Sequence, residues 1–383
     1  MYTHQRLSMF LLSFAVAGAA WAYPEYKVTV VGPAGSVPRA INAAGVVVGT
    51  YPVGPNVTHA FLNRGGGVVD LGIFGGTSST AVAINDKGQV LGHWTTRRGQ
   101  VRGYIYDLGR ARDIGVIGGG FTRWTDINNA GYVSGYTYTD GYLRAPTGML
   151  TRLGRLPGDD PAFPSTTEAY ALNNRNQVTG ASGSRVPIDP LFHGFIWTRG
   201  RISDLGTLGG QVPVVGNAIN DRGQVAGTAA RPGLIHLEVA FVYYRGRILD
   251  IDNRPVDQTP YSTGDGINNL GHVVGYSNHL GGYVWRGKRM ESLAGLIDTR
   301  QGWQSLTPRA INDAGQIIAT ASRNGRSYSV RLDPIRPHMD AVPAAEPDEE
   351  SSVEPPVSAE AAAARAKREA EAAAREVAKP VTQ

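Results

Sequence analysis

The 383-residue chain contains no cysteine, and only 18% of its residues are charged and 8% aromatic. Without cysteine there can be no disulfide, no thiolate nucleophile and no zinc site with sulfur ligands. The fold must therefore be held by non-covalent contacts alone. Glycine and proline, with 50 and 23 residues, are instead abundant, which favours a turn-rich fold over a helical one.

Long apolar runs are also missing, except for one at the N-terminus. Arg6 precedes the run LSMFLLSFAVAGAA, and Ala20 to Ala22 provide a small-x-small cleavage site. This pattern predicts a cleaved signal peptide over residues 1–22, because a transmembrane span needs roughly 20 apolar residues. The sequence therefore predicts a secreted or periplasmic protein whose mature chain has no transmembrane span.

Residues 338–383 differ in composition from the rest of the chain. A Pro- and acid-rich stretch predicts a disordered linker, and the Ala-rich run with mixed charges after it predicts a solvated helical tail. This segment carries ten acidic and five basic residues, whereas the whole chain has a net charge of +5. Residues 23–337, the predicted folded domain, are therefore basic. This charge either favours anionic partners or reflects only a preference for arginine in the composition and the needs of solubility.

One short pattern recurs seven times within residues 23–337. Each copy contains Ile or Leu followed by Asn, then a turn and a short apolar run, as in AINDKGQVLG at residues 83–92. The steps between copies are 43, 43, 45, 47, 48 and 44 residues, and the asparagines are Asn42, Asn85, Asn128, Asn173, Asn220, Asn268 and Asn312. A period near 45 with β-type content is typical of four-stranded propeller blades.

Each repeat contains four candidate strands, but the fourth strand is displaced in one repeat. Six copies, such as VVDLG, follow the aromatic strand of their repeat, whereas the seventh, YKVTVVG, lies at the N-terminus. We therefore predict an all-β, seven-bladed β-propeller in which the N-terminal strand, 28–31, pairs with the last strand, 327–332. A seven-repeat β-solenoid, the alternative, would need caps that are not evident.

The repeat motif resembles a known family. It is clearest in His59-Ala60-Phe61, in HGFIWTRGRISDLGTLGG and in INDRGQVAG. These segments are similar to the HAF family of extracellular repeats, and the similarity covers residues 28–332. The resemblance implies export and repetition, and it implies no catalytic residues.

Candidate ligand-binding residues follow from the predicted ring. The residue two positions before each Ile or Leu varies, and ring closure makes Arg309 of the last repeat a neighbour of Arg39 of the first. Two guanidinium groups at one channel mouth can hold a carboxylate or sulfate. We therefore predict a site formed by Arg39, Arg309, Asp265, Tyr170 and Asp126. A structural Arg–Asp pair is the alternative for these side chains.

Two classes of function are compatible with the sequence. The favoured one is an exported, non-enzymatic binding scaffold for an anionic polysaccharide or an extracellular protein, which would bind the long loops of one face. The alternative is a polysaccharide-active hydrolase or lyase on the same face. Its candidate acids are Asp159, Asp160, Asp189, Glu238 and Asp265, and its candidate lyase residues are Tyr170, His236 and Arg309.

Several other classes lack sequence support. Phosphate-loop, nucleophile-elbow and metalloprotease motifs are absent, and the histidines show no metal-ligand spacing. We therefore expect a monomer without cofactor or metal ion, and we expect no nucleic-acid partner.

Overall fold

The computed structural model describes residues 24–157, 165–184, 191–209, 213–232, 238–255, 258–336, 340 and 342. These residues form seven antiparallel sheets of four strands each, together with two short 3₁₀ helices, Leu293–Gly295 and Thr299–Gln301. Neither helix is long or apolar enough to span a bilayer. The predicted signal peptide, residues 1–22, and the predicted tail beyond Val342 lie outside the described residues.

The strands follow the repeat order of the sequence. The first, β1 (Tyr26–Ala34), belongs to the last blade. Blade 1 contains β2 (Val37–Ile41), β3 (Val47–Gly54), β4 (Val57–Asn63) and β5 (Val68–Gly72). Blade 2 contains β6 (Ser78–Ile84), β7 (Val90–Thr95), β8 (Val101–Asp107) and β9 (Arg110–Gly115). Blade 3 contains β10 (Arg123–Ile127), β11 (Val133–Tyr136), β12 (Gly141–Arg144) and β13 (Leu150–Arg152).

The remaining blades repeat this arrangement. Blade 4 contains β14 (Ser165–Leu172), β15 (Val178–Ser184), β16 (Leu191–Thr198) and β17 (Arg201–Asp204). Blade 5 contains β18 (Val214–Ile219), β19 (Val225–Ala230), β20 (Glu238–Tyr244) and β21 (Arg247–Asp250). Blade 6 contains β22 (Ser262–Ile267), β23 (Val273–Ser277), β24 (Gly281–Trp285) and β25 (Met290–Ser292). Blade 7 contains β26 (Gln304–Ile311), β27 (Ile317–Arg323), β28 (Arg326–Pro334) and β1.

The blades form a closed ring around a central channel. The first strand of each blade contacts the first strand of the next, and β26 of blade 7 contacts β2 of blade 1. The turns between the first and second strands lie on one face, which we call the turn face. The loops between the second and third strands and the crossings between blades lie on the other, which we call the loop face.

Blade 7 joins the two ends of the propeller. Strand β1 pairs antiparallel with β28, with Val28 opposite Leu332 and Val30 opposite Val330. The Thr29 hydroxyl also donates a hydrogen bond to Asp333 at 2.8 Å. The predicted seven-bladed propeller with closure by the N-terminal strand is therefore confirmed.

A ring of hydrogen bonds explains why the asparagine recurs. The side-chain Nδ2 of each of the seven asparagines donates to the main-chain oxygen of its counterpart in the next blade, and Asn312 closes the ring by donating to Asn42 at 3.0 Å. The Oδ1 atom of the same side chain holds the turn, as when Asn85 accepts from the Gln89 N–H at 3.0 Å. Only an amide side chain supplies both a donor and an acceptor here, so aspartate cannot replace it.

The glycine that ends the GxVvG segment makes room for an aromatic ring. The third strands bury large rings, among them Phe61 and Tyr104. A Cβ atom on Gly92 would lie 2.1 Å from the Thr80 carbonyl oxygen and 2.4 Å from the Tyr104 ring. The glycine of the second strand and the aromatic residue of the third are therefore one packing unit, which recurs as Gly49 with Phe61 and as Gly227 with Phe241.

The propeller unit extends to Val342. The His272 Nε2 atom lies 2.9 Å from the carbonyl oxygen of Asp340, and the Val342 N–H donates to the Leu270 carbonyl at 2.7 Å. The Val342 side chain packs beside Gly287 of blade 6. Contacts with the propeller thus continue beyond residue 337, where the sequence predicted its end.

Candidate anion-binding site

Every first strand contains a β-bulge at one position. In blade 1 the register skips Arg39 between Pro38 and Ala40, and the other six blades skip the equivalent residue. A bulge leaves its extra residue unpaired and changes the direction of its side chain. The seven bulged residues are Arg39, Val82, Thr125, Tyr170, Asn217, Asp265 and Arg309. The positions that vary from repeat to repeat are therefore those released from regular strand pairing.

A cavity of about 780 Å³ opens beside these bulges on blades 1 to 4. We call it the channel-mouth cavity. Hydroxyl groups of several serine and threonine side chains line it, together with charged and aromatic groups. Its lining includes Arg39, Val82, Thr125, Tyr170, His93, Val101, Phe121, Arg123, Thr95 and Tyr136.

Three arginines give the channel mouth its positive charge. The pKa of Arg39 is lowered because protein surrounds its side chain on most sides and because the charges of Arg309 and Arg123 lie nearby. All three residues nevertheless remain exposed to solvent. None of them forms an ion pair with a carboxylate in the part of the chain that the structure describes. An anion at this place would relieve the repulsion among the three guanidinium groups.

Asp265 lies within electrostatic reach of Arg309 without contacting it. Burial raises the pKa of Asp265, while a hydrogen bond from the Thr263 hydroxyl at 3.0 Å and the charge of Arg309 act in the opposite direction. No ion pair within 4.0 Å joins Asp265 to Arg309 among the described residues. Ring closure thus brings Arg39, Arg309 and Asp265 into one region without forming a direct Arg–Asp pair.

Aromatic side chains line the cavity on the side of blades 3 and 4. Phe121 stacks on Tyr138 with a centroid distance of 4.5 Å, and their exposed fractions are 42% and 68%. We call this pair the aromatic platform. The Tyr136 ring meets Tyr170 edge-on at 5.9 Å, and the Tyr170 hydroxyl donates to Glu168 at 2.5 Å. Exposed rings of this kind offer flat apolar surface beside polar groups.

Asp126 does not line the channel-mouth cavity. Its carboxylate accepts hydrogen bonds from the main-chain N–H groups of Ile127 at 2.8 Å and of Leu172 at 2.9 Å, so it links blade 3 to blade 4. Burial raises its pKa to about 6 in spite of these bonds. It lines a small cavity at the asparagine ring, on the turn face. The structure therefore separates Asp126 from the other predicted site residues.

Of the candidate enzymatic acids, only Glu238 and Asp265 belong to the described residues. Asp159, Asp160, Asp189 and His236 lie outside the described residues. Glu238 begins β20, and both Glu238 and Asp265 act on Tyr261, whose pKa is raised first by burial and then by these two charges. Among the described residues, no three His, Asp or Glu side chains come together as a metal site.

The two histidines at equivalent places of the third strand, in HAF of blade 1 and in HGF of blade 4, have a structural partner. The Nδ1 atom of His59 lies 2.8 Å from Asp70, and that of His193 lies 3.0 Å from Asp204. Each aspartate belongs to the DLG segment of the same blade and also accepts the N–H of the glycine two residues later. The motif thus joins the third and fourth strands of a blade.

Sequence reasoning missed Arg123 and His93. Arg123 lies two residues before the bulged Thr125 on β10, and residues two apart on a strand share a face, which was an available signal. His93 carried no such signal. Its Nε2 atom accepts the Trp124 N–H at 3.0 Å, and burial, assisted by the charge of Arg123, lowers the pKa of His93 to about 4. His93 is therefore neutral near pH 7 and adds no charge to the arginines.

The lowered pKa of His93 predicts a pH-dependent stability. Between about pH 6.5 and pH 4 the unfolded chain binds a proton at this residue and the folded chain does not, so the free energy of unfolding should fall as the pH falls. The full loss is about 3 kcal/mol for a shift from 6.5 to about 4. Denaturant unfolding at several pH values, compared with His93→Gln, measures it.

The comparison with His93→Gln is needed because Asp126 acts in the opposite direction. Its raised pKa favours the folded state at low pH, so its contribution falls as the pH rises from about 4 to about 6. The difference between the two unfolding curves isolates His93. Equal pH slopes in the parent chain and the variant would contradict the prediction.

Comparison with known proteins bears on the fold. No family model and no curated protein matches the chain, so the similarity to the HAF family stays a prediction. The β-propeller domain of the Trilobed protease from Pyrococcus furiosus is similar, with a TM-score of 0.53, 9% identity, and coverage of 79% of this chain and 96% of that one. The chain is a seven-bladed β-propeller.

Two further solved structures align with most of this chain. TolB from Acinetobacter baumannii has a TM-score of 0.42 and 13% identity, over 77% of this chain and 65% of that one. A gluconolactonase from Xanthomonas campestris has a TM-score of 0.40 and 12% identity, over 79% and 98%. At such identities these similarities concern the architecture alone.

Proposed function

We propose that this protein is an exported, non-enzymatic propeller that binds an acidic carbohydrate at the channel-mouth cavity. One observation carries the proposal: Arg39 and Arg123 line the same cavity, the charge of Arg309 also acts on Arg39, and none of the three forms an ion pair with a carboxylate among the described residues. Guanidinium groups bind carboxylates and sulfates through paired hydrogen bonds. Aromatic rings cover the apolar face of a sugar, so the two features together suit an acidic sugar.

The size and lining of the cavity support the same ligand class. Its volume of about 780 Å³ lies within the usual range for small-molecule sites, about 300 to 1,000 Å³. The hydroxyl groups of Ser78 and Thr80 can exchange hydrogen bonds with sugar hydroxyls. An anion in the cavity would thus find charged, polar and aromatic partners.

Export is part of the proposal. The apolar run and cleavage pattern of residues 1–22 support it, as does the resemblance of residues 28–332 to the HAF family of extracellular repeats. An exported binding propeller would meet acidic polysaccharides in the cell envelope or outside the cell.

The test is a binding screen with substitutions in the cavity. The chain starting at Tyr23 is titrated calorimetrically with polygalacturonate, dextran sulfate and neutral dextran at about physiological ionic strength. At least one of the two acidic polymers should bind, and neutral dextran should not. Arg39→Gln and Arg123→Gln should each weaken binding about tenfold or more, since a hydrogen bond to a charged group contributes about 1.5–3 kcal/mol. The control is Arg201→Gln, at an exposed turn on the turn face.

Diffuse attraction gives a different result from a defined site. If all three substitutions weaken binding equally, or if no acidic polymer binds, the channel-mouth cavity is not the site. Diffuse attraction would be shared by many arginines and would fade as salt is added.

A lyase is the second candidate, and one observation favours it. The Tyr170 hydroxyl, bonded to buried Glu168 at 2.5 Å, lies on the wall of the cavity that also contains Arg39. A uronate lyase needs a base for the C5 proton and a cation beside the carboxylate. Incubation with polygalacturonate would then yield an unsaturated product that absorbs ultraviolet light. If this product forms with the parent protein and not with Tyr170→Phe, the protein is a lyase and not only a binding scaffold.

A further inference from the structure

A second cavity, of about 630 Å³, lies against blade 2 and takes no part in the site described above. We call it the outer cavity. Its lining includes one large aromatic side chain, three arginines and one carboxylate: Trp94, Arg97, Arg98, Arg102 and Asp113. It therefore combines the same kinds of group as the channel-mouth cavity.

One hairpin separates the two cavities. In the register of β7 and β8, Thr95 pairs with Val101, and both line the channel-mouth cavity. The neighbouring pair, Trp94 and Arg102, lines the outer cavity. Successive residues of a strand project from opposite faces of its sheet, so only the thickness of one sheet lies between the cavities.

The tip of this hairpin connects the cavities over the loop face. The Thr96 N–H donates to the Gln100 carbonyl at 2.9 Å, and the Gln100 N–H donates to the Thr96 hydroxyl at 3.1 Å, which closes the turn. Arg97 and Arg98, at the tip, are exposed and form no ion pair among the described residues. A ligand that crosses the tip would therefore meet two unpaired guanidinium groups.

The outer cavity is better suited to a sugar acid than to a nucleic acid. Arg102 is held by Asp113 at 2.8 Å and by Gln100 at 3.2 Å, so a cation and a carboxylate lie side by side. The hydroxyl groups that a sugar acid carries beside its acidic group can donate to the Asp113 carboxylate, whereas a phosphodiester group has no donor. Trp94 offers a ring on which a sugar can stack.

We propose that the outer cavity is a second subsite for the acidic polysaccharide, so that the protein binds an extended chain rather than a single terminal sugar. The polymer runs from the channel-mouth cavity across Arg97 and Arg98 to Trp94 and Arg102. This inference rests on the proposed function, because the channel-mouth cavity must bind the same polymer. Two linked subsites raise affinity without any change in either one, provided that the ligand spans both.

A length series of galacturonate oligomers, from the dimer to chains of about ten units, tests the inference by calorimetric titration. The affinity of the parent protein should rise about tenfold or more once the oligomer spans both subsites. The double substitution Arg97→Gln and Arg98→Gln should abolish that rise, so it should weaken binding of the longest oligomers far more than binding of the dimer. Lys87→Gln, at an exposed turn on the turn face, is the control and should leave the whole series unchanged.

The outcomes separate this inference from the proposal beneath it. If dimers and long oligomers bind the parent protein and the double variant equally, there is no second subsite, although the proposed function stands. If no acidic oligomer binds the parent protein, the proposed function fails and the inference with it. An oligonucleotide of equal charge that binds as tightly as the longest oligomer would overturn the assignment to carbohydrate.

Discussion

A chain that begins at Pro33 is expected to unfold at a much lower temperature than a chain that begins at Tyr23. The truncation removes most of β1, and with it the buried side chains of Tyr26 and Val31, which are each 3% exposed. Each such side chain contributes about 1.5–3 kcal/mol by its burial. The truncation also uncovers the edge of β28, and the buried Asn63 Nδ2 loses its hydrogen bond to the Val31 carbonyl. The sum is comparable to the whole stability of an ordinary domain, about 5–15 kcal/mol.

Circular dichroism during heating measures this effect. The chain starting at Tyr23 should melt in one cooperative transition, and the truncated chain should melt early or over a broad range. Val30→Ser is the matched control, because Val30 lies in β1 but is 43% exposed. An unchanged midpoint and cooperativity in the truncated chain would contradict closure by β1.

The second large effect is expected from one asparagine of the ring. Asn220 is 5% exposed, donates to the Asn268 carbonyl at 2.8 Å and to Gln224 at 2.7 Å, and accepts the N–H groups of Arg222 and Gln224 at 3.0 Å. Asn220→Ala leaves these buried partners unsatisfied, at about 1–3 kcal/mol for each group that water cannot reach. We expect a loss of roughly 3–5 kcal/mol in the free energy of unfolding.

Denaturant unfolding of Asn220→Ala and Asn220→Asp tests the role of the ring. The aspartate variant keeps the acceptor and loses the donor to blade 6, so it should also be clearly destabilised. Lys87→Ala is the control, since Lys87 is an exposed residue of the equivalent turn in blade 2. If Asn220→Ala costs no more than Lys87→Ala, the asparagine ring does not hold the blades together.

The fold could be predicted from the sequence because its determinants are local and repeated. The turn chemistry of Asn85 and Gly88 returns in six repeats, and in the seventh, in blade 4, Asn176 takes the place of the glycine with the same positive φ. Only one repeat lacks its fourth strand, so the displaced strand at Val28 can belong only there. The bulges at Arg39 and its counterparts could not be predicted, since a bulge depends on how a strand fits its neighbours. The closed ring nevertheless predicts that Arg39 lies near Arg309, because the last repeat of such a ring lies beside the first.

The rest of the candidate site lies in loops that do not follow the repeat of the sequence. Phe121 and Tyr138 meet only because the crossing into blade 3 and a loop of that blade come together on the loop face. Asp126 is a charged residue at a position that Ala or Gly occupies in the other six repeats. A buried carboxylate that accepts two main-chain N–H groups nevertheless needs no ligand. Sequence spacing cannot distinguish a structural aspartate such as Asp126 from one that binds a ligand, because the role of either depends on contacts with the neighbouring blade.

The most direct test of the account is a crystal structure of the propeller with the tightest-binding acidic oligosaccharide. We expect a carboxylate or sulfate of the ligand within hydrogen-bond distance of the Arg39 guanidinium and of Arg123 or Arg309. We also expect a sugar ring against Phe121 or Tyr138. A ligand bound on the turn face, or at any place that leaves all three arginines without an anion, would contradict the account.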